Sequence, residues 1–505
     1  MVLIRFTLLI GIGILLGAGS MYVALKLGFA VGVSLLTVIF VKGFDTICSR
    51  FFTSWGTVTQ QDHGYFLSLT TGMSYATVTL VSTVLAALYL SNQFPTNTTS
   101  LVLWVISLNL IGTLLAWIFR EYMSSAPFPS ATAAASLVKN TERDSSQQTF
   151  WVTFGGTWIW IALRDMIQWI PGTVAGFSTS PLFIGLGGLL GFKTCLSFFL
   201  GGLFFFLPEK HMLGGEDEMA WFAVSALMTY IVLDFLAPLL KGRWSTSRIH
   251  SVEKTTVGLL AAALFFSLLV FSFNFPIGVI SLILVCLLLY PWSLFSSRIT
   301  GETDVTPIGA LGKLAIFIFW LFPHSGSIMP WIGQLIGPAA ASADFSSDLK
   351  CGTLLECSPR KQLYYQAIGS VVGPIVMIPV FLSFLPLIGT DQFPVPAARI
   401  WNQFLEIVNS GMLFSSSALR MNFILGLGVG IGYWALRKWV WKILPSIVPF
   451  CMAFFLDLPT TNTLLIGGLL SLALVNKLSE EKLLLNWSGL MAGEGILMAI
   501  LLLFY

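Results

Sequence analysis

The chain has 505 residues, of which 56% are hydrophobic and only 10% charged, with a net charge of +3. A soluble domain carries about 25% charged residues, so no water-soluble core hides this much apolar surface, and lipid must be the solvent. The small, dispersed positive charge gives no footprint for nucleic acid.

The N-terminal run MVLIRFTLLIGIGILLGAG imitates a signal peptide, yet it continues past Lys26 without a convincing cleavage site and reads as a retained first helix. Apolar stretches long enough for a crossing, about 20 residues each, follow near 3–24, 28–44, 64–90, 101–119, 150–172, 181–207, 219–240, 254–274 and 276–296. The second half adds 307–322, 326–341, 363–389, 421–436, 443–457, 461–475 and 484–505. Several are short or rich in Gly and Pro, which predicts about 12 to 16 spans, some of them broken or re-entrant. The runs are too long and continuous for the alternating strands of a barrel. The fold class is therefore all-α, a polytopic integral membrane protein. Basic loops at 241–254 and in RKWVWK are placed on the cytoplasmic side, with the acidic stretch 209–219 opposite.

Self-similarity divides the chain into two pseudo-repeated halves, 1–250 and 251–505. APFPSATAAASLV at 126–138 has an echo in DQFPVPAARIWNQF at 391–404, and CLSFFLGGL at 195–203 has one in NTLLIGGLL at 462–470. VALKLGFAVG near 23–32 pairs at a slightly larger displacement with SSRITGETDV at 296–305. Duplicated helical units are a building rule of secondary transporters, with solute held where the repeats meet.

Acids in so oily a chain are costly and point to function by default. Glu302 and Asp304 lie in SSRITGETDVTPIGALGKL, where Gly301 and Pro307 discourage regular helix. A carboxylate pair on such a break is a proton or cation site, or else the cap of the next helix. Glu494, in LMAGEGILMAILLLFY, has no positive neighbour in sequence and reads as a proton-binding acid, or else as an interior hydrogen-bond partner of another helix. Lys26 either balances a solute carboxylate or an acid, or snorkels to the interface. Arg164-Asp165 reads as a structural pair or interface anchor. Two stretches, TQQDHGYFLS with Gln61, Asp62 and His63, and ADFSSDLKCGTLL with Asp344, Asp348 and Lys350, read as polar connections.

Six scattered cysteines read as packed hydrophobes, and the five residues between Cys351 and Cys357 match no common zinc spacing. Four dispersed histidines offer no resident metal site, and no cofactor is implied. No GxSxG, Walker A or HExxH motif is present, so an enzyme is not expected, and uphill transport would draw on an ion gradient.

Several passages resemble the oligopeptide transporter (OPT) superfamily, in the branch of bacterial members and plant yellow stripe-like transporters. MYVALKLGFAVGVSLL resembles the family's Leu-Lys-x-Gly element, and REYMSSAPFPSATAAASLVKN its Arg, Phe-Pro and Ala-rich helix entry. SPLFIGLGGLLGFKTCLSFFLGGLF resembles its glycine-rich helix pair. RITGETDVTPIGALGKL, SSDLKCGTLLECSPRKQ and LLLNWSGLMAGEGIL resemble its Gly-Glu-Thr segment, its Asp-Leu-Lys-x-Gly / Pro-Arg-x-Gln segment and its final Ala-Gly-Glu helix. The chain departs from the family at Thr306, Ala131 and Ser136, has QQDH where Glu-Asn is frequent, and lacks the Asn-Pro-Gly segment of the peptide-transporting branch. The resemblance implies proton-coupled import of small peptides or metal chelates of amino-acid-derived ligands. Solute contacts are then expected at Lys26, Gln61, Asp348 and Lys350, and proton coupling at Glu302, Asp304 and Glu494. The partners are the solute, protons and the bilayer, with a homodimer left open. The place is the cell membrane, the inner membrane in a bacterium. The rival readings are a passive channel and an intramembrane lipid-modifying enzyme using Asp62-His63 or Glu302/Asp304.

Overall fold

The structure, a computed structural model, describes residues 2–27, 37–38, 40–41, 58–139, 144–206, 216–240, 254–323, 326–390, 393–411, 416–440 and 446–502. It is helical almost throughout. The helices are α1 Val2–Leu27, α2 Gln60–Leu90, α3 Thr98–Met123, α4 Pro129–Lys139, α5 Asp144–Ile161, α6 Pro181–Leu190, α7 Phe192–Phe206, α8 Glu216–Leu240 and α9 Lys254–Ser272. There follow α10 Val279–Thr303, α11 Ile308–Trp320, α12 Met329–Leu354, α13 Pro359–Phe384, α14 Pro396–Asn409, α15 Ser417–Val440, α16 Ile447–Met452, α17 Leu458–Leu474 and α18 Glu480–Leu502. A two-stranded hairpin, Thr173–Val174 with Phe177–Ser178, is the only sheet among the described residues.

Most predicted spans coincide with a helix, because a long apolar run in lipid must satisfy its backbone internally. Six described helices are long and apolar enough to cross a membrane. Several leave large apolar side chains outside, such as Phe265, Val279 and Leu287, as a lipid-facing surface requires. The predicted run 181–207 is two helices, because Gly191 takes a positive φ of 78° between α6 and α7. The stretches read as polar connections are not connections: Gln60 opens α2, and Asp344–Leu354 is the C-terminal part of α12. The part of the first from His63 to Ser68 and the second from Asp344 to Leu349 face protein, whereas Gln60 and Gln61 are exposed. The basic loop 241–254 and the acidic stretch 209–219 lie largely outside the described residues.

The chain forms two compact units. The first takes residues 1–140, 246–405 and 498–505. At its centre α2 packs against α1, α12 and α13, and α12 also lies along α3 and α10. Glycines let these backbones touch. A Cβ on Gly369 of α13 would stand 2.3 Å from the Leu69 carbonyl, and one on Gly112 of α3 would stand 2.4 Å from that of Pro338. The second unit takes residues 141–245 and 406–497. There α8 packs on α15, and α17 packs on α6 and α7. Gly187 of α6 and Gly467 of α17 face each other's helix, a Cβ on either falling 2.2 Å from a carbonyl oxygen opposite.

Each unit thus draws on both sequence halves. Helix starts in the first half recur after about 260–270 residues in the second: Gln60 and Met329, Thr98 and Pro359, Pro129 and Pro396, Pro181 and Ile447, Phe192 and Leu458. Compactness and sequence similarity divide this chain differently.

Candidate functional site

Ser68, Thr71 and Tyr75 share one face of α2, by the three- and four-residue spacing that aligns helical side chains. Asp344 and Asp348 are one turn apart on α12, and Gln362 and Gln366 one turn apart on α13. The two ladders meet rung by rung. The Gln366 amide donates to Asp344 Oδ2 at 3.2 Å, and the Gln362 amide donates to the Asp348 carbonyl at 2.9 Å and to Ser68 Oγ at 3.3 Å. Thr71 Oγ1 lies 2.5 Å from Asp348 Oδ2. Gly352, one turn beyond Asp348, leaves the room that Gln362 occupies: a Cβ there would fall 2.0 Å from Gln362 Oε1.

This junction is buried. Asp348 and Gln362 are 0% exposed, Gln366 is 1% and Asp344 is 8%. No ion pair reaches either aspartate among the described residues. Three acceptor oxygens there have no hydrogen-bond partner among the described residues, namely Asp348 Oδ1, Gln362 Oε1 and Gln366 Oε1. Each buried orphan of this kind costs on the order of 1–3 kcal/mol.

A second acidic position lies in the same unit, where α10 stops. The break expected from Gly301 and Pro307 is present: α10 ends at Thr303, Asp304 takes a left-handed φ of 61°, and α11 begins at Ile308. Asp304 does not cap α11. Its carboxylate accepts the Ser130 amide, at 3.1 and 3.2 Å, and the Ser130 hydroxyl, at 2.9 Å, at the start of α4. The Phe128 amide donates to the Gly301 carbonyl at 2.9 Å and completes the joint. Beside it, the Tyr75 hydroxyl donates to Thr306 Oγ1 at 2.7 Å, so Thr306, a departure from the family pattern, ties the break to α2.

Glu494 is 7% exposed in the second unit and is not alone. Arg164 Nη2 stands 2.9 Å from Glu494 Oε1 and also pairs with Asp165 at 2.7 Å. Glu494 Oε2 accepts the Ser180 hydroxyl at 2.6 Å and the Leu182 amide at 2.8 Å, at the start of α6. The interior hydrogen bonds to another helix, the alternative reading of Glu494, are present, and Arg164 adds a positive neighbour that is remote in sequence. Arg164 comes from 330 residues upstream, and no local sequence signal reports that pairing.

The other residues singled out in sequence are dispersed or occupied. Gln61 Nε2 donates to the Glu356 carbonyl at 3.0 Å, and Lys350 Nζ to the Ser124 carbonyl at 2.9 Å. Asp62 closes a capping box with Thr59 at the start of α2, accepting from its amide and hydroxyl. His63 is buried on the next position. Lys26 and Glu302 lie on the last turns of α1 and α10, and their side chains are outside the described residues. Among the described residues no three His, Cys, Asp or Glu come together as a metal site would require. In the turn between α12 and α13, burial pushes the Cys357 thiol up to about 11. Asp344, Gln362 and Gln366 were not singled out as site residues, although the i, i+4 spacing of each pair is visible in the sequence.

The architecture, helical almost throughout with six described spans long and apolar enough to cross a membrane, defines the class of polytopic α-helical membrane proteins. The profile of the family described as OPT oligopeptide transporter protein matches residues 5–207 and 250–505, and the chain is a member of that family. Similar proteins include the oligopeptide transporter YGL114W of Saccharomyces cerevisiae, 29% identical over 50% of this chain and 38% of its own length. The metal-nicotianamine transporter YSL8 of Oryza sativa subsp. japonica is 29% identical over 34% of this chain and 27% of its own. The iron-phytosiderophore transporter yellow stripe 1 of Zea mays is 31% identical over 34% of this chain and 25% of its own. The chain thus spans well under half the length of the curated relatives it matches.

Proposed function

We propose that the protein is a secondary active transporter that imports metal chelates of amino-acid-derived ligands, or small peptides, together with protons. The observation that carries this reading is the state of Asp304. It is a carboxylate at a helix break, with no ion-pair partner among the described residues, and it holds the start of α4. Losing its charge weakens that hold, so proton binding favours a state in which α4 is released over one in which it is docked. A transporter needs such a bias to link a gradient to alternating access.

The family and the names of the relatives support a solute carrier and give no support to an enzyme. Glu302 remains a proposed coupling acid beside Asp304. Glu494 serves instead as a fixed anchor, because Arg164 offsets its charge. Lys26, Gln61 and Lys350 are proposed solute contacts, with Gln61 and Lys350 freed from the carbonyls they now bind, while Asp348, expected as a fourth, is 0% exposed and is not proposed as one. The helix starts recurring in both halves support a duplicated chain. The proposed location is the cell membrane, the inner one in a bacterium.

The test is uptake by purified protein in proteoliposomes, using iron–nicotianamine and a mixed tripeptide pool, with and without an inward proton gradient. Accumulation of either probe only with the gradient is expected. Equal flux in both conditions removes the coupling and leaves a channel.

A further inference from the structure

Thr71 has a single hydroxyl proton, a distant contact with the Ser68 carbonyl at 3.5 Å, and two close acceptors competing for that proton. Its Oγ1 stands 2.9 Å from the Leu67 carbonyl one turn back on α2, and 2.5 Å from Asp348 Oδ2. A hydroxyl donates once and accepts up to twice. With Asp348 ionised, one of those two contacts sets lone pair against lone pair at hydrogen-bond distance. With a proton on Asp348 Oδ2, both are satisfied in sequence: the carboxyl O–H donates to Thr71 Oγ1, and the Thr71 O–H donates to the Leu67 carbonyl. The spacing suits a short O–H···O bond.

Two further observations agree. Asp348 Oδ1 is buried and has no donor, which is far costlier for an oxygen sharing a full charge than for the carbonyl oxygen of a neutral acid. Gln366, itself 1% exposed and bonded through its amide nitrogen to Asp344, has an Oε1 with no donor. Asp344 and Asp348 are one turn apart, and two buried anions so close cannot both persist without a cation.

No ion pair reaches either aspartate among the described residues. α2 presents Tyr75 toward Asp344 and carries the buried His63 about two turns before Thr71. α12 adds Cys351 beside Asp348 and Lys350, whose Nζ donates to the Ser124 carbonyl, and α13 offers two neutral amides with Arg360 and Lys361 exposed at its start. The other helices packed on α12 bring the buried Lys313 of α11 and, toward the C-terminal ends of α3, α4 and α10, Arg120, Lys139 and Arg298. None forms an ion pair with either aspartate among the described residues.

We propose that Asp344 and Asp348 are one exchangeable proton site, with the proton on Asp348 Oδ2 and Thr71 as its acceptor, and that this site carries a coupled proton. The role in coupling rests on the transporter reading; the proton on Asp348 does not. Thr71 and Gln366 act as positioning residues, each steering one carboxyl of the pair.

Infrared difference spectroscopy of the full chain in lipid nanodiscs at neutral pH tests the site without any solute. Subtracting Asp348→Asn from wild type is expected to reveal one deuterium-sensitive C=O band of a protonated carboxyl. Thr71→Val is expected to keep that band and move it to higher frequency, because the carboxyl loses its acceptor. The second variant decides the matter if the first does not fold. A difference showing only carboxylate bands overturns the proposal, and so does a carboxyl band that sodium abolishes, which assigns the pair to a metal cation. In proteoliposomes, Asp348→Asn is expected to reduce gradient-driven iron–nicotianamine uptake to that of empty vesicles. Coupled uptake surviving in Asp348→Asn overturns the coupling role. A carboxyl band in a wild-type chain that transports neither probe leaves the proton site standing and removes the transporter reading.

Discussion

Asp304 in the first unit and Glu494 in the second perform one local task with opposite electrostatics. Each is a carboxylate from a distant segment that grips the second residue of a short helix opened by proline: Ser130 after Pro129, and Leu182 after Pro181. Each also takes a serine hydroxyl, from Ser130 or Ser180. The amides free at a helix start favour an anion, so the same solution fits both places. The difference is Arg164, which stands 2.9 Å from Glu494 and has no counterpart at Asp304 among the described residues. A neutralised acid is a fixed rivet, whereas an acid with no cation responds to protons. Position in an apolar helix did not separate the two; the partner does.

Removing the charge of Glu494 should therefore harm folding most. Glu494→Gln leaves Arg164 with Asp165 alone, and breaking a buried pair by removing one partner costs about 3–5 kcal/mol; the low end applies because Asp165 persists. Thermal unfolding in detergent should show this, and Arg164→Met combined with Glu494→Gln should recover part of the loss. A single variant as stable as wild type would make the rivet dispensable and erase the contrast.

Asp304→Asn inverts the pattern. The amide oxygen can still accept from Ser130, so stability should fall by only about 1 kcal/mol, the scale of a helix cap. Uptake should change more. Wild-type flux should rise as the outer medium is acidified if, as proposed, protonation favours the released form of α4. The variant should have a flat profile. A variant that keeps the wild-type pH dependence returns the coupling to other acids.

The contrast was half legible in the sequence. Gly301, Pro307 and two carboxylates announce a broken helix, and α10 does end at Thr303. The long lipid-facing runs announce themselves because hydropathy measures what meets lipid. It is silent on helices that meet protein. ADFSSDLKCG looks like a connection by composition, yet it is the buried end of α12, polar because α2 and α13 satisfy it. Glu494 looked isolated because its counter-charge is remote in sequence. Pairings of that kind are set by tertiary structure, and no periodicity encodes them.

Tyr75→Phe sharpens the comparison on the Asp304 side. It removes the hydrogen bond to Thr306 beside the break and leaves Asp304 and Ser130 intact. The expected stability loss is about 1 kcal/mol, the net worth of one hydrogen bond, read as a small fall in melting temperature. The pH dependence of uptake should persist. Its disappearance would mean that the break is governed through α2 rather than through the cap on α4.

The smallest effect expected is none at all, at Cys357. Burial keeps its thiol neutral, with a value near 11, and its Sγ donates to the Gln61 carbonyl at 3.4 Å. Only the thiolate alkylates, so at pH 8 roughly one molecule in a thousand is reactive at a given instant. Iodoacetamide labelling, read by mass spectrometry of the Cys357 peptide, should thus be slow and should quicken as pH rises toward 11. Asp304→Asn should label at the wild-type rate, because Cys357 is held by α2 and the α12–α13 turn while Asp304 holds α4. Faster labelling would show that α4 and the α12–α13 turn open together, and the acid at the break would then control the whole first unit rather than a single helix start.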